Sequence, residues 1–395
     1  MKNDVYITGA GIVSALGSGC KIHLDALKSG RSGIEQHNFF SGELPDPCVC
    51  GKVPHTVIAE TIDETAPDRA AILAENAFCQ AIKSAGHENL SDTDLITGTT
   101  LGNMHGGTLY FNALKKGSRA DTDLVKNVMP DSIGNTLAKK YHIKGKHISV
   151  SSACASGSTA IGTAYNRIMR GQNSIAVAGG VDALSPFIIA GFNCLRLLSK
   201  NVCRPFSLVR DGLNPGEGAA FVVLESYEKM ARRKAEPIAK IKGFGTALEA
   251  FHYTRSHPDG IGIASAIRKA LDNAGVTPEQ IDHIHAHGTA TVQNDLSEYN
   301  GYYAVFGDRL SEIPVCSTKS MTGHTYGAAG AISVVLSILT INNSIIPATL
   351  FCNDPDPLFT KINVSIHPRN HDVKLVLIVA VGFGGEVAAL VLEAL

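Results

Sequence analysis

The chain has 395 residues, of which 44% are hydrophobic and 18% charged, with a formal net charge of −1. Length and apolar content are enough for a large buried core, as two domains or one duplicated unit, and the charge is too sparse for a disordered chain. The near-neutral balance creates no field for nucleic acid or an anionic membrane surface, so neither is expected as a partner.

Short β-rich apolar runs alternate with longer helical patterns from end to end, which predicts an α/β protein with covered sheets. "VYITGAGI" near the N-terminus reads as the first strand, and the apolar run there is too short for a signal peptide. A helical pattern follows in "APDRAAILAENAFCQAIKSAG" (66–86), then the strand "HISVSS" and the helix "CASGSTAIGTAYNRIMRG" (154–171). "SIAVAGGV" and "AAFVVLES" are further strands, and the charged "ESYEKMARRKAEP" (225–237) reads as a solvated helix joining two halves. The second half opens with "IAKIKGFG", continues through "GIASAIRKALDNAG" and "HIHAHG", and closes with "GAAGAISVVLSILTIN" and "LVLIVAVG". Two stretches, 328–341 and 374–392, are apolar enough to imitate membrane spans. The first is too short and the second is broken by Gly-Phe-Gly-Gly and a glutamate, so both read as buried elements and no span is expected. A strand that ends in a reactive residue before a helix recurs in the two halves, which points to internal duplication, divided as 1–235 and 236–395.

The nine cysteines (20, 48, 50, 79, 154, 194, 203, 316 and 352) are odd in number and scattered, so no disulfide framework is read and a reducing cytosol is expected. One stands apart. In "SVSSACASGSTAIG" (149–162) Cys154 lies where a strand gives way to a helix, and helix-start N–H groups and the dipole favour a thiolate. Its small neighbours allow close helix packing and leave room for a substrate chain. His287, in "HAHGTAT", and His324, in "STKSMTGHTYGAAG", each close a short polar turn; Lys319 precedes His324, and Asp295 and Glu298 follow His287. A cysteine with two histidines is compatible with a Cys-His hydrolase, a metal site or an acyl-transfer enzyme. His283, His285 and His287 would share one strand face, as zinc ligands do, but no fourth ligand stands nearby and no metal is expected.

Seven segments then occur in one order: "ITGAGIVSALG" (7–17), "SSACASG" (151–157), "AGGVDA" (178–183), "RPFSLVRDGLNPGEGAA" (204–220), "HAHGTAT" (285–291), "STKSMTGHTYGAAGAI" (317–332) and "GFGG" (382–385). With them the chain resembles the elongating β-ketoacyl-[acyl carrier protein] synthases of the thiolase superfamily. The resemblance implies a five-layer αβαβα fold of two similar halves with the site between them. It implies a cytoplasmic 3-oxoacyl-[acyl carrier protein] synthase of a type II fatty acid, polyketide or polyene pathway. Cys154 would take an acyl group, and decarboxylative condensation with malonyl-carrier protein would add two carbons. Acyl carrier protein is the implied partner, with phosphopantetheine arriving on it and no bound cofactor, and the chain would pair with a copy of itself or with a related ketosynthase or chain-length factor.

By the same resemblance His287 and His324 stabilise the enolate left by loss of carbon dioxide, as neutral N–H donors. Lys319 suppresses their protonation, and Asp295 and Glu298 form an acidic network that anchors it. The N–H groups of Cys154 and Phe383 form an oxyanion hole, with Phe383 as a gating aromatic. Thr289, Thr291, His105 and Phe192 contact the pantetheine arm or the acyl chain. At His105 two readings stay open, a polar tunnel wall or a hydrogen bond across a subunit interface. Arg196, Lys200 and Arg69 are the implied carrier-docking cations, against an acidic helix start in "IDETAPDRAA" (62–71). The chain departs from the family in having Ala290 for Gly or Ser, Ser333 for a helix glutamate, and Glu386-Val387 for Thr-Asn after "GFGG". The alternatives are a thiolase, which would need a second cysteine near the C-terminus, and a non-catalytic chain-length-factor-like subunit, which would lack the nucleophile.

Overall fold

The computed structural model describes residues 4–37, 48–55, 57 and 68–395; the acidic stretch 62–67 lies outside them. One large mixed sheet runs through the described residues. From one edge its strands are Asn363–Val364, Pro314–Cys316, His283–His285, Leu375–Val381, Glu386–Glu393 and Ala239–Leu248. Val5–Ser14, Gly218–Ser226, Ile175–Asp182, Asp94–Gly98 and His147–Val150 continue it to the other edge.

That order contains a repeat. Numbered along the chain, the five main strands between Val5 and Ser226 lie in the order 3-2-4-5-1, and so do the five main strands between Ala239 and Glu393. The pairing senses repeat too. In each set the second strand is parallel to both neighbours, and the fourth, fifth and first are successively antiparallel. The two sets join where Val5–Ile7 pairs antiparallel with Ala239–Ile241.

Alternation along the strands assigns their faces. Ala176 and Ala178 point to the same core as Val376 and Ile378, whereas Val177 and Val181 point to a second core and Leu377, Val379 and Val381 to a third. The shared core holds two helices, Ser156–Met169 and Ala329–Asn343. Helix Arg69–Ala85 covers one outer face, and Ile261–Ala274 with Val292–Phe306 covers the other. Helices therefore alternate with sheets in five layers, the thiolase-like arrangement. The helical stretch Tyr326–Asn343 is long and apolar enough to cross a membrane by length and composition, but 89% of it is buried inside the protein, where it is the central helix.

The two central helices approach closely because each is Gly-bearing where they cross. A Cβ on Gly157 would stand 2.7 Å from the Gly327 carbonyl oxygen and 2.9 Å from the Ala331 nitrogen, and one on Gly330 would collide with the Ser158 side chain. Real Cβ atoms do not sit that close, so neither glycine can be replaced without moving a helix.

Candidate active site

Strand His147–Val150 is followed by a tight turn in which Ala153 adopts φ 47°, the left-handed region that costs a residue with a Cβ about 1 kcal/mol. This turn delivers Cys154 just ahead of the helix that begins at Ser156 with Ala155 as N-cap. The cysteine is thus outside the first helical turn, and it is buried. Burial pushes its thiol up to about 12; the Lys319 charge and the backbone N–H groups of Phe383 and of Cys154 itself, which point at the sulfur, pull the other way. The helix start was expected to favour a thiolate; burial shifts the thiol in the opposite direction.

Strand His283–His285 ends two residues before His287, and strand Pro314–Cys316 leads through the short helix Lys319–Thr322 to His324. The two imidazole centroids are 5.2 Å apart, edge to face at 85°. His324 is clasped by the N-terminal set of strands: its N–H donates to the Asn214 carbonyl at 2.7 Å, and its carbonyl accepts the Gly216 N–H at 2.9 Å. Its ring Nδ1 is buried with no hydrogen-bond partner among the described residues. Burial first, and the Lys319 charge second, hold both imidazoles well below the ordinary histidine range, so both are neutral at pH 7.

Lys319 is buried, with its Nζ donating to the His287 carbonyl. Asp295 and Glu298 do not grip it. Glu298 accepts the N–H groups of His287 (2.7 Å) and Gly288 (2.6 Å) and the Tyr302 hydroxyl (2.6 Å), while Asp295 accepts those of Phe206 (2.8 Å) and Ala290 (3.2 Å). The two acids fix the backbone of the His287 loop and act on Lys319 only through their charge. Burial raises both, Glu298 to about 7. Ala290 has φ 64°, which explains a preference for glycine there; here a Cβ is held in a strained conformation.

Cys154, His287, His324, Phe192, Phe383, Thr289 and Thr291 line one cavity of about 350 Å³. Phe192 packs against Tyr326 (centroids 5.5 Å) and Phe383 (5.7 Å), and the rings of Phe192 and Phe383 line the cavity that holds the sulfur. The Thr289 and Thr291 hydroxyls are 2.9 Å apart. Glu386, the departure after the Gly-rich turn, accepts the Thr159 hydroxyl at 3.1 Å, tying that turn to the Cys154 helix.

The structure does not bring every expected residue here. Arg69 is a correction: only 3% exposed, it donates through Nε (2.8 Å) and a terminal nitrogen (2.5 Å) to both oxygens of fully buried Glu217, so it cannot face a carrier protein. A guanidinium at a helix start looks like a surface cation until a carboxylate 148 residues away is placed against it. His105 is buried and lines a separate small cavity with Arg69, Leu101 and Met104, not the one holding Cys154. Arg196 is exposed and lines the main cavity; Lys200 is exposed and does not. Ser333 is buried on the central helix.

His287 leaves the other two strand histidines. His283, His285 and Cys316 have ligand atoms within 4.8 Å of one another and are fully buried. Their donors are engaged, His283 with the Pro314 carbonyl (2.8 Å) and the Cys316 sulfur (3.4 Å), His285 with the hydroxyls of Ser337 and Thr318 (both 3.1 Å). Burial raises the Cys316 thiol far above its usual range, so it offers no thiolate, and a metal would have to displace these bonds.

Sequence reasoning passed over Asp182, at the end of an apolar strand. Fully buried, it accepts the Thr99 hydroxyl (2.7 Å) and the N–H groups of Thr100 (3.0 Å), Leu101 (3.0 Å) and Gly327 (2.6 Å), and burial raises it to about 6. It joins the loop after strand Asp94–Gly98 to the turn that follows His324. A lone acid closing "IAVAGGVD" was the available signal.

A buried cysteine facing two neutral imidazoles between the halves of a repeated five-layer fold defines a condensing enzyme of the thiolase type. Comparison with known proteins agrees. Residues 2–230 match the family model for the beta-ketoacyl synthase N-terminal domain, and residues 238–353 match that for the beta-ketoacyl synthase C-terminal domain. The chain is 33% identical over 402 residues to the 3-oxoacyl-[acyl-carrier-protein] synthase 2 of Staphylococcus aureus, covering 98% of this chain and 100% of that one. Among solved structures it is similar to the ishigamide ketosynthase/chain length factor (TM-score 0.92, 30% identity, 100% of both chains). It is also similar to a type II PKS ketosynthase, bound to the hexaketide and in complex with its acyl-carrier protein (TM-score 0.91, 27% identity, 100% of both chains). The chain belongs to the beta-ketoacyl synthase family and is an acyltransferase-type condensing enzyme, an elongating ketosynthase.

Proposed function

We propose that Cys154 carries the acyl chain and that His287 and His324 handle the malonyl unit. The observation that supports this reading is the convergence of the three side chains in one buried cavity, with the N–H groups of Cys154 and Phe383 directed at the sulfur. In the first half-reaction the sulfur attacks the thioester carbonyl of an acyl-phosphopantetheine. The new C–S bond forms as the pantetheine C–S bond breaks, and the Cys154 proton leaves on the pantetheine thiol. The two N–H groups hold the oxyanion, each worth about 3 kcal/mol. In the second, malonyl-phosphopantetheine loses carbon dioxide, and the electron pair forms an enolate whose oxygen accepts hydrogen bonds from His287 and His324. Its carbon attacks the acyl-Cys154 carbonyl as the acyl C–S bond breaks, and the Cys154 sulfur leaves as a thiolate that takes one proton from water. The product is a 3-oxoacyl thioester two carbons longer.

For this role the imidazoles must donate N–H without being charged, which their burial and the Lys319 cation favour. Phosphopantetheine arrives as part of the substrate on acyl carrier protein, threading past Thr289 and Thr291, with no resident cofactor or metal. Arg196 and Lys200 are the proposed docking cations, the cytoplasm is the proposed location, and a second copy or a related chain-length factor is the proposed partner subunit. A non-catalytic role is disfavoured because Cys154, His287 and His324 are all retained. The test supplies acyl- and malonyl-carrier protein and follows carbon dioxide and 3-oxoacyl product. Wild type is expected to form both and Cys154→Ala to form no 3-oxoacyl product; equal product from the two would end the proposal.

A further inference from the structure

Two guanidinium groups, those of Arg196 and Arg255, line the cavity that has Cys154, His287 and His324 at its buried end. Both residues are exposed, which places them at its mouth, and neither side chain has a hydrogen bond or ion pair among the described residues. The carboxylate that lines the same cavity, Asp211, is engaged by the Ser199 hydroxyl at 2.6 Å. The mouth is therefore cationic, in a chain whose net charge is −1.

Arg255 is also well positioned relative to the sulfur. The Gly384 N–H donates to the Tyr253 carbonyl at 2.8 Å, the Glu249 N–H donates to the Gly385 carbonyl at 2.9 Å, and the His257 N–H donates to the Glu249 carboxylate at 2.9 Å. The segment bearing Arg255 is thus held against the glycine turn whose Phe383 N–H points at the Cys154 sulfur.

We infer that Arg255 forms a phosphate subsite for the phosphopantetheine arm, with Arg196 beside it at the mouth on the carrier side, a reading that rests on the function proposed above. The arm has a sulfur at one end, one phosphodiester anion at the other and no charge between them. When its thioester meets Cys154, the anion is left at the mouth, where two unpaired forks of N–H donors await it. Guanidinium pairs bidentately with phosphate oxygens, and a charge-assisted hydrogen bond is stronger than a neutral one. Arg255 is assigned to the arm because its segment is hydrogen-bonded to the Gly384–Gly385 turn beside Cys154, whereas Arg196 stays available to carboxylates of the carrier's surface.

The test removes the carrier protein. The full chain is offered two small acyl donors with the same acyl group, one on pantetheine and one on phosphopantetheine capped as its methyl phosphodiester, which bears a single charge. Acylation of Cys154 is timed by intact-protein mass spectrometry. Wild type is expected to prefer the phosphorylated donor by roughly tenfold at low salt, and the preference shrinks as ionic strength rises. Arg255→Ala brings the ratio of the two rates close to one, and Arg255→Lys, which keeps the charge but not the fork, restores part of it. A wild-type ratio of one, or a ratio that survives in Arg255→Ala, overturns the subsite while leaving the acyl-transfer function intact. A ratio lost in Arg196→Ala but kept in Arg255→Ala also overturns the assignment to Arg255. If neither donor acylates Cys154, the proposed function fails and the phosphate subsite falls with it.

Discussion

Replacing Arg69 separates a structural ion pair from a docking cation. The guanidinium and the Glu217 carboxylate are 3% and 0% exposed, with two N–O contacts of 2.8 and 2.5 Å. Among the described residues, the backbone donors left to the carboxylate in Arg69→Ala are the N–H groups of Val53 (2.9 Å) and Leu184 (3.2 Å). Breaking a buried pair by removing one partner costs about 3–5 kcal/mol, because the stranded charge stays out of water. Unfolding entropy of about 2.1 cal/mol/K per residue makes about 0.8 kcal/mol/K for a chain this long, so a loss of about 4 kcal/mol lowers Tm by roughly 5 °C. Arg69→Met with Glu217→Gln, which leaves no stranded charge, recovers part of that loss. Thermal unfolding reads the first quantity. The KM for acyl carrier protein, measured where the variant is folded, reads the second and is expected to stay within about twofold. An Arg69→Ala variant with Tm lowered by less than about 1 °C and a much higher carrier KM would refute the reasoning.

His287→Ala and His324→Ala should each slow malonyl decarboxylation by about 10²–10³, the worth of one oxyanion donor, and slow acylation of Cys154 far less. Following carbon dioxide and acyl-enzyme separately checks this, and an equal fall in both would contradict the division of labour. Alkylation of Cys154 by iodoacetamide depends on the thiolate. Since burial raises the thiol to about 12, the anion is a minor species throughout the accessible range, and the rate is expected to climb about tenfold per pH unit from 7 to 10. A plateau by pH 8 would mean that the helix terminus and Lys319 outweigh desolvation after all.

What the sequence made legible was local. Cys154 could be picked out because a strand, a turn and a run of small residues are written next to one another, and the two histidines because glycine-bracketed polar turns interrupt apolar elements. What it hid was set by distant partners. Arg69 read as a surface cation because Glu217 is far along the chain, and Asp295 and Glu298 read as a cage for Lys319 although their oxygens are taken up by the N–H groups of the His287 loop. The direction of the Cys154 shift was hidden for a different reason: a helix start can be read from sequence, but the depth at which that start is buried cannot. At His105 the sequence leaves a tunnel wall and an interface contact open, and the fold places the residue on the wall of a second small cavity.

The repeated strand order bears on how two distant segments make one site. Cys154 follows the third strand of the first set and leads into its central helix; His324 follows the third strand of the second set and leads into the other central helix. They are the same position in two copies of one topology. Because those helices approach closely at Gly157 and Gly330, the turns ahead of them are brought to one cavity, which Cys154 and His324 both line. Asp182 then locks the arrangement, since its four hydrogen bonds span the loop at Thr99–Leu101 and the turn at Gly327. Neither set of strands alone has both the nucleophile and the groups that would hold the enolate, so the chemistry depends on the interface between the copies.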